Sequence, residues 1–204
     1  MSTPNRRPPR ADNRLPQVLD AAAAQFAARG FEAASIRDIV GAVGMLPGSL
    51  YYHFATKDEL LAAVYAEGVR RVEAAVLAAL EGCGGDPWER LEAACTAHLE
   101  TLLGQGDYAR VVISVAPRDV PSRAEEIAAQ RSRYEGHFRA LVDALPLPCG
   151  WSQGALRLML LGALNWVPTW HRADGGASPR EIARGFVHML REPAAQGVAA
   201  GSHP

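Results

Sequence analysis

The spacing of apolar residues along the chain is that of α-helices, in which one face recurs every three to four positions. Ile36, Ile39 and Val43 share one face of a first short helix, and Leu50 and Phe54 share the inner face of a second. No convincing run of alternating β-branched residues appears, and the one short apolar run that resembles a strand has helical neighbours. The pattern therefore predicts an all-α fold.

Capping residues and breaks divide this pattern into segments. Five times, a residue that can accept a hydrogen bond from a free backbone N–H precedes an acidic residue by three positions. These pairs are Ser35 with Asp38, Thr56 with Glu59, Asp86 with Glu89, Ser122 with Glu125, and Ser178 with Glu181. Glycine and proline mark breaks near residues 82–85, 117–121, 146–150 and 175–176. A helix is expected after each capping pair.

The composition is ordinary for a globular protein and does not by itself indicate a nucleic-acid partner. The chain has 204 residues, of which 49% are hydrophobic and 21% charged, and its formal net charge is −1. Binding to nucleic acid must therefore come from local charge. A disordered basic arm is predicted over residues 1–12, with Arg6, Arg7 and Arg10, and Arg14 follows it. The arm either follows phosphates and the minor groove of DNA or stays a solvated tail, because its prolines exclude regular structure.

The sequence holds no pattern typical of an enzyme, a metal site or a cofactor site. Its three cysteines form no C-x-x-C motif, and its histidines form no H-x-x-x-H or H-E-x-x-H pair. Ser114 and Cys95 have no recognisable base partner, and no glycine-rich phosphate loop follows a strand. No segment resembles a signal peptide or a bilayer span. We therefore expect a cytoplasmic protein that is not an enzyme and needs no metal or cofactor.

Residues 35–57 carry the most specific motif in the chain. Two short amphipathic helices meet at a tight turn at Gly44, where glycine allows a positive φ. This is the pattern of a helix-turn-helix, whose second helix can enter the major groove of DNA. The motif G-S-L-Y-Y-H-F at residues 48–54, followed by T-K-D-E-L-L at residues 56–61, resembles the DNA-binding signature of the TetR family of bacterial transcriptional regulators. The resemblance covers residues 15–61 and includes the family's first helix.

The resemblance implies about nine helices, arranged as a small N-terminal head on a larger helical body. The head would be a helix-turn-helix DNA-binding domain over residues 13–56. The body, residues 57–192, would bind ligand and dimerise, and residues 193–204 would form a flexible tail. Together with the breaks, this predicts helices roughly over residues 13–29, 35–43, 47–53, 57–81, 86–104, 107–115, 122–145, 151–171 and 178–191.

In the family the third helix docks in the major groove, and the resemblance transfers this role to residues 47–53. Gly48 would let the backbone approach DNA closely, and Lys57 would meet a phosphate at the start of the fourth helix. Ser35 would cap its helix whether or not it also contacts DNA. Leu46 replaces the usual Ser or Thr, which suggests contact with a thymine methyl or a different base preference. The expected DNA-binding residues are Ser35, Arg37, Pro47, Gly48, Ser49, Tyr51, Tyr52, His53 and Lys57.

A symmetric dimer is expected, because one head covers only a short DNA site and two heads cover a palindrome. The apolar residues of the eighth predicted helix cover more than half of its circumference, which indicates burial from two sides. The body would cover one side, and a second subunit would cover the other in a four-helix interface. The expected interface residues are Leu156, Met159, Leu160, Ala163, Val167, Phe186, Met189 and Leu190.

The sequence N-W-x-x-x-W at residues 165–170, followed by a basic residue and by S-P-x-E-I-A, resembles a subgroup of TetR regulators that sense acyl-CoA thioesters. A tryptophan can stack on adenine or line a thioester channel, and arginines pair with phosphates. Alternatively, Trp166 and Trp170 are anchors of the dimer core, one helical turn apart. The expected ligand-binding residues are Arg110, Arg133, His137, Asn165, Trp166, Trp170 and Arg172.

These observations predict a homodimeric transcriptional repressor that a small-molecule effector, first of all an acyl-CoA thioester, releases from a palindromic double-stranded DNA operator. Two alternatives stay open at this point. The same type of regulator could respond to another apolar effector, such as a drug or a lipid. A helical carrier or enzyme with a vestigial head is the second alternative, although the surface formed by Tyr51, Tyr52 and Lys57 is intact.

Overall fold

The computed structural model describes residues 14–104, 106–172 and 174–200, with the backbone alone described for residues 193–200. Within these residues the chain forms nine α-helices and two short 3-10 turns, and no strand. This confirms the predicted all-α fold, while the predicted arm over residues 1–12 lies outside the described part. The helices are α1 (Leu15–Ala33), α2 (Ile36–Ala42), α3 (Pro47–Tyr51), α4 (Lys57–Glu81), α5 (Pro87–Gly104), α6 (Gly106–Ser114), α7 (Ala124–Asp143), α8 (Gln153–Trp170) and α9 (Pro179–Ala200).

The first three helices form a head because each contributes one apolar face to a shared core. Val18, Phe26, Ile39 and Leu50 are almost completely buried there. Gly44, at a φ of 63°, supplies the left-handed conformation that the turn between α2 and α3 requires. The head is therefore the helix-turn-helix that the sequence predicts.

The long helix α4 connects the head to the body. Its first turns bury Leu60 and Leu61, and its later turns bury Val69, Val72 and Val76. It packs against α1 in the head and against α5, α6 and α7 in the body, while α5 also contacts α8 and α9. A movement of the body helices can therefore reach the head through α4. None of the described helices combines the length and the apolarity that crossing a membrane requires.

The end of α3 and the start of α7 are among the helix ends that differ from the sequence prediction. The helix α3 ends at Tyr51, and a turn then leads into α4. Ser122, predicted to cap α7, lies in a 3-10 turn and donates its hydroxyl hydrogen to Asp58 of α4. As a result α7 begins at Ala124 without a side-chain cap. The Ser122 hydroxyl therefore makes a tertiary hydrogen bond, whereas the spacing in the sequence predicted that it would cap α7.

The last helix runs further than the sequence suggests. A flexible tail is predicted from residue 193 onward, yet the backbone of α9 stays helical to Ala200. Pro193 removes one backbone donor, but the alanine-rich residues after it have high helix propensity and continue the helix. Residues 201–204 lie outside the described part of the chain.

Candidate functional site

The exposed tip of the head consists of α3 and the residues that follow it. Leu50 is 1% exposed and anchors α3 to the head core, and Pro47 begins the helix where a missing N–H costs little. Tyr51 and Tyr52 are exposed, with 82% of Tyr52 accessible to solvent. The rings of Tyr52 and His53 meet edge to face at 5.4 Å. The tip thus offers two phenol groups and an imidazole to a partner.

The other polar positions predicted to contact DNA also lie on the surface of the head. Gly48 and Ser49 are exposed, and a Cβ built on Gly48 would meet no atom within 4 Å. Ser35 caps α2 by accepting a 3.1 Å hydrogen bond from the Asp38 N–H. Arg37 is exposed, and no ion pair involves it within the described residues. The surface of the head therefore combines Gly48, where a partner can approach the backbone closely, with hydrogen-bond donors that suit phosphates and base edges.

Lys57, the only lysine of the chain, has a different environment from the one that the sequence suggests. Its Nζ donates to the backbone oxygens of Phe31, Glu32 and Ala34 at 2.7, 3.2 and 3.2 Å, and it lies 4.4 Å from the centre of the Phe31 ring. Three acceptors meet there because Gly30, at a φ of 77°, breaks the helical path of α1. An ammonium group has three donors, so the head itself uses all of them. Lys57 thus clamps the end of α1 to the start of α4.

The outward face of α8 is apolar, but it is offset from the predicted dimer stripe. Leu158, Met159 and Trp166 of α8 and Met189 of α9 are exposed, with 64% of Trp166 accessible. Of the other predicted interface residues, Ala163 and Phe186 are half-buried. Four more are buried in the protomer: Leu156, Leu160, Val167 and Leu190. These four belong to the body's own core, so the body already covers them without a second subunit. The helix is apolar nearly all round, so its periodicity cannot tell which side the body covers.

Four of the predicted ligand-binding residues lie on the outside of the body. Trp166 and Trp170 share the exposed face of α8, and Arg172 follows in an exposed segment. Arg110 is exposed on α6, whose main contacts are with α1, α4 and α5. The two tryptophans therefore do not line the interior, and their placement favours the alternative interpretation as dimer anchors.

Asn165, also a predicted ligand-binding residue, belongs to a buried polar centre. His98 on α5 is 2% exposed, and its Nδ1 lies 2.5 Å from Tyr134 Oη on α7 while its Nε2 lies 3.2 Å from Asn165 Oδ1 on α8. Burial lowers the pKa of His98 to about 4, and burial raises the pKa of Tyr134 well above its usual value. A neutral hydrogen-bonded chain therefore links α5, α7 and α8 inside the body.

The last two predicted ligand-binding residues meet at a carboxylate beside this centre. Glu73 of α4 lies 2.8 Å from His137 Nε2 and accepts a 3.1 Å hydrogen bond from Arg133, both on α7. Burial alone would raise the pKa of Glu73, but these two hydrogen bonds lower it. The His137 ring is 6.5 Å from the Tyr134 ring, and it also lines a cleft of about 340 Å³ between α4, α5 and α7 together with Arg90. The cleft thus has a polar edge next to the buried centre.

Two sets of polar contacts, which the sequence did not predict, lie at the junction between the head and the body. Tyr108 of α6 donates a 2.8 Å hydrogen bond to Asp20 of α1, and Arg71 of α4 lies 3.3 Å from the same carboxylate and 4.1 Å from the centre of the Tyr108 ring. In the first turn of α4, Glu59 pairs with Arg123, just before α7. Asp20 and Tyr108 are 88 residues apart in sequence, so only the fold brings them together.

Two family models match the chain, and their boundaries follow its two parts. The model described as bacterial regulatory proteins of the tetR family matches residues 18–64, which contain the helix-turn-helix. The model described as a tetracyclin repressor-like C-terminal domain matches residues 84–193. The second match alone spans more than half of the chain.

Individual relatives agree with these matches. The HTH-type transcriptional repressor KstR2 of Rhodococcus jostii (strain RHA1) is 28% identical over 203 residues, which cover 90% of this chain and 95% of that protein. KstR2 of Mycobacterium tuberculosis is 48% identical over 50 residues, which span only 25% of that protein. The crystal structure of AibR in complex with isovaleryl coenzyme A and operator DNA shares the fold, with a TM-score of 0.74 at 24% identity over 86% of this chain and 97% of that chain. The chain belongs to the TetR family of bacterial transcriptional regulators.

Proposed function

We propose that the protein is a homodimeric repressor that binds a palindromic operator and releases it when an acyl-CoA thioester binds to the body. The observation that carries DNA binding is the exposed tip of the head. Tyr52 is 82% exposed, and a Cβ at Gly48 would meet no atom within 4 Å, so both positions are available to a partner rather than to the head core. In this proposal the protein acts as a regulator rather than an enzyme, in the cytoplasm where its operator lies.

The tip would enter the major groove with α3, as second helices of helix-turn-helix units do. Tyr51, Tyr52 and His53 would meet base edges and phosphates, and Ser49 would add a short hydroxyl contact. Arg37, exposed on α2, would neutralise a backbone phosphate from the side. Lys57 is left out of this contact surface, because its ammonium is occupied within the head.

The outward apolar face of α8 supports the dimer. A group of large exposed apolar side chains that includes Leu158, Met159 and Trp166 is rarely left open to solvent on a soluble domain. A second copy placed by a two-fold axis would cover the same face with itself, together with Met189 of α9. Such a dimer would hold two recognition helices at a fixed spacing, which a palindromic site requires.

An effector site in the body is supported by the polar groups that its interior contains. Asn165, His137 and Arg133 lie in or beside one connected region of α4, α5, α7 and α8. The AibR structure holds isovaleryl coenzyme A and operator DNA in the same fold, and KstR2 is named as a repressor. An acyl-CoA thioester is therefore our first choice, ahead of an uncharged drug or lipid.

Release would follow from a shift in the orientation of α4. This helix carries Glu73 at the effector region and, in its first turn, Glu59, whose partner Arg123 precedes α7. An effector that moves α7 would therefore act on both parts of α4. It needs to prefer the non-binding state by only a few kcal/mol to empty most operators.

A DNA-binding titration tests the proposal. Fluorescence anisotropy would follow a labelled duplex from the region upstream of the protein's own gene, with and without acyl-CoA esters of increasing chain length. We expect tight binding without effector and release by at least one CoA ester, but not by coenzyme A or by the free acids. The Tyr52→Ala variant should lose about tenfold or more in affinity, whereas a Tyr65→Phe variant in the buried body should not.

Different outcomes refute different parts of the proposal. No binding to the upstream duplex and equal affinity of Tyr52→Ala and the unchanged protein would refute the assigned DNA surface. Tight binding that no CoA ester reverses, but that an uncharged apolar compound does reverse, would replace the acyl-CoA effector with the other effector class.

A further inference from the structure

Leu46, the residue before α3, has a large apolar side chain that the head leaves in solvent. It is 77% exposed, and of the exposed large apolar side chains in the described residues only Tyr52 exceeds it. Its neighbours Val43 and Met45 are half-buried and pack against the core. Leu46 therefore contributes little to the core of the head, and its side chain is accessible to a partner.

The backbone around Leu46 is held in one conformation. The following Pro47 restricts Leu46 to extended backbone, and the Leu46 φ of −88° and ψ of 147° agree with this. The Leu46 carbonyl accepts a 3.0 Å hydrogen bond from the Ser49 N–H. Just before it, the Met45 N–H donates to the Val40 carbonyl at 2.9 Å. The side chain therefore projects from a fixed point at the N-terminal end of α3, so little backbone entropy is lost when a partner binds.

A leucine at this position does not stabilise the free protein, because it stands where a capping residue could stand. Leu46 is the N-cap of α3 and makes no side-chain hydrogen bond there, whereas Ser35 and Thr56 cap α2 and α4. Ser, Thr, Asn or Asp could accept a hydrogen bond from a free N–H of this helix start. Leu46 lacks that bond and also exposes apolar surface to water. Contact with an apolar group of a partner would remove this surface from water.

We propose that Leu46 is a specificity-determining residue, whose side chain contacts the 5-methyl group of one thymine in each half of the operator. The inference rests on the proposed function, because it requires α3 to lie in the major groove. Residues at the N-terminal end of a recognition helix contact base edges. Among the groups that bases present in the major groove, the thymine methyl is the apolar one. Leucine has no hydrogen-bonding atom in its side chain, so this methyl is the base group that it can select.

This role distinguishes Leu46 from the other groups at the tip of the head. Ser49, Tyr51 and Tyr52 carry hydroxyls, which can meet phosphates as well as the donor and acceptor groups of bases. Such contacts do not depend on a methyl group. Uracil differs from thymine in this methyl alone, and 5-bromouracil carries a bromine of similar size in its place. Replacing single thymines by these bases therefore isolates the contact that Leu46 makes.

A thymine scan of the bound DNA, carried out on the full-length protein and its variants, tests the proposal. The unchanged protein selects duplexes from a random pool, and each thymine of a selected site is then replaced by uracil together with its symmetry mate. Fluorescence anisotropy measures the affinity for each duplex. Leu46→Ala and Leu46→Ser remove the contact, and Leu46→Met keeps an apolar side chain of similar size. Leu77→Ala is the matched control, because Leu77 is an exposed leucine of α4.

We expect uracil at one symmetric pair of positions to weaken binding by the unchanged protein about fifteenfold, since burial of one methyl group contributes about fourfold in each half-site. The duplex with 5-bromouracil at these positions should bind like the thymine duplex. Leu46→Ala and Leu46→Ser should bind the thymine and uracil duplexes equally, to within about twofold. Leu46→Met and Leu77→Ala should keep the preference for thymine. Leu46→Ser should unfold at the same temperature as the unchanged protein or higher, because serine can cap α3.

Each possible failure has a distinct meaning. If no uracil replacement weakens binding by the unchanged protein, no thymine methyl is recognised, and the proposal is wrong while DNA binding stands. If the preference for thymine persists in both Leu46→Ala and Leu46→Ser, another residue contacts the methyl and the assignment to Leu46 is refuted. If the unchanged protein selects no duplex at all, the proposed DNA-binding function fails, and the role of Leu46 fails with it.

Discussion

At the scale of single residues, Lys57 belongs to the family signature and could either neutralise a phosphate or position the head. Only its contacts distinguish these two roles. Its position at the start of α4 is unfavourable for a cation, because the N-terminus of a helix carries partial positive charge. The carbonyls of Phe31, Glu32 and Ala34 offset this, since they belong to the end of α1 and point toward its ammonium. We therefore assign Lys57 to positioning the head rather than to neutralising a phosphate.

The salt dependence of DNA binding distinguishes the two roles. Lys57→Met should lower operator affinity at every salt concentration, because losing these charge-assisted hydrogen bonds destabilises the head by about 2 kcal/mol. The slope of log affinity against log salt should stay that of the unchanged protein, since no phosphate contact is lost. Arg37→Met is the control, and it should reduce the slope by about 0.9 for each head. An equal reduction in Lys57→Met would show that Lys57 does bind phosphate.

At the scale of helices, the proposed dimer depends on α8. Its inner side supplies Leu156, Leu160 and Val167 to the body core, and its outer side leaves Met159 and Trp166 exposed. Helical periodicity identifies both apolar sides but does not show which of them faces the body core. A helix that is buried from two sides has no polar face to mark the outside. The packing of α5 and α7 against one side identifies the other as the free face.

A charge placed on this free face should separate the proposed dimer. Trp166→Glu removes a large aromatic anchor from both copies and puts two like charges close to the two-fold axis. We expect the dimer dissociation constant to rise by at least about a hundredfold in sedimentation equilibrium, and operator affinity to fall with it. Leu77→Glu, an equally drastic change at an exposed position of α4, should leave the dimer intact. An unchanged dimer in Trp166→Glu would place the interface elsewhere.

At the scale of the whole molecule, the body connects its interior to the head through α4 and α6. Gly68 of α4 lets these two helices approach closely, because a Cβ there would lie 2.6 Å from Val112 Cγ2. On the same helix pair, Arg71 and Tyr108 both reach Asp20 of the head. The head is thus held by body helices rather than by a flexible linker, so its orientation follows the packing of the body.

The buried His98 should also make the stability of the whole protein depend on pH. Its pKa is about 4 when folded and about 6.5 when unfolded, so between these values the unfolded chain binds more protons. The resulting stability is present above pH 6.5 and is lost as the pH falls toward 4. From pH 7 to pH 5, we expect the free energy of unfolding to fall by about 2 kcal/mol through this residue.

Denaturant unfolding at the two pH values measures this effect. His98→Gln should lack this part of the pH dependence, whereas His188→Gln, exposed on α9, should retain it. Carboxylates contribute to both variants alike, so the difference between the variants isolates His98. If His98→Gln and the unchanged protein lose the same stability, His98 is not kept neutral by the fold.

The sequence by itself determined the structural features that depend on residues close to one another along the chain. Apolar spacing and capping pairs such as Ser35 with Asp38 define the helices, since these interactions span one turn. The turn at Gly44 and the anchor Leu50 define the helix-turn-helix and leave Tyr52 at its tip. The family signature lies in this local segment, which is why the class of regulator could be predicted without a fold.

Only the tertiary structure decided which distant residues meet. His98 reaches Asn165 across 67 positions, and Lys57 reaches the end of α1 across 23 to 26 positions. Likewise, packing of the body hid Leu160 and exposed Trp166 on the same helix. Local patterns record which residues favour burial or capping. The partner of a buried polar group, and the free side of an all-apolar helix, depend on how whole helices pack.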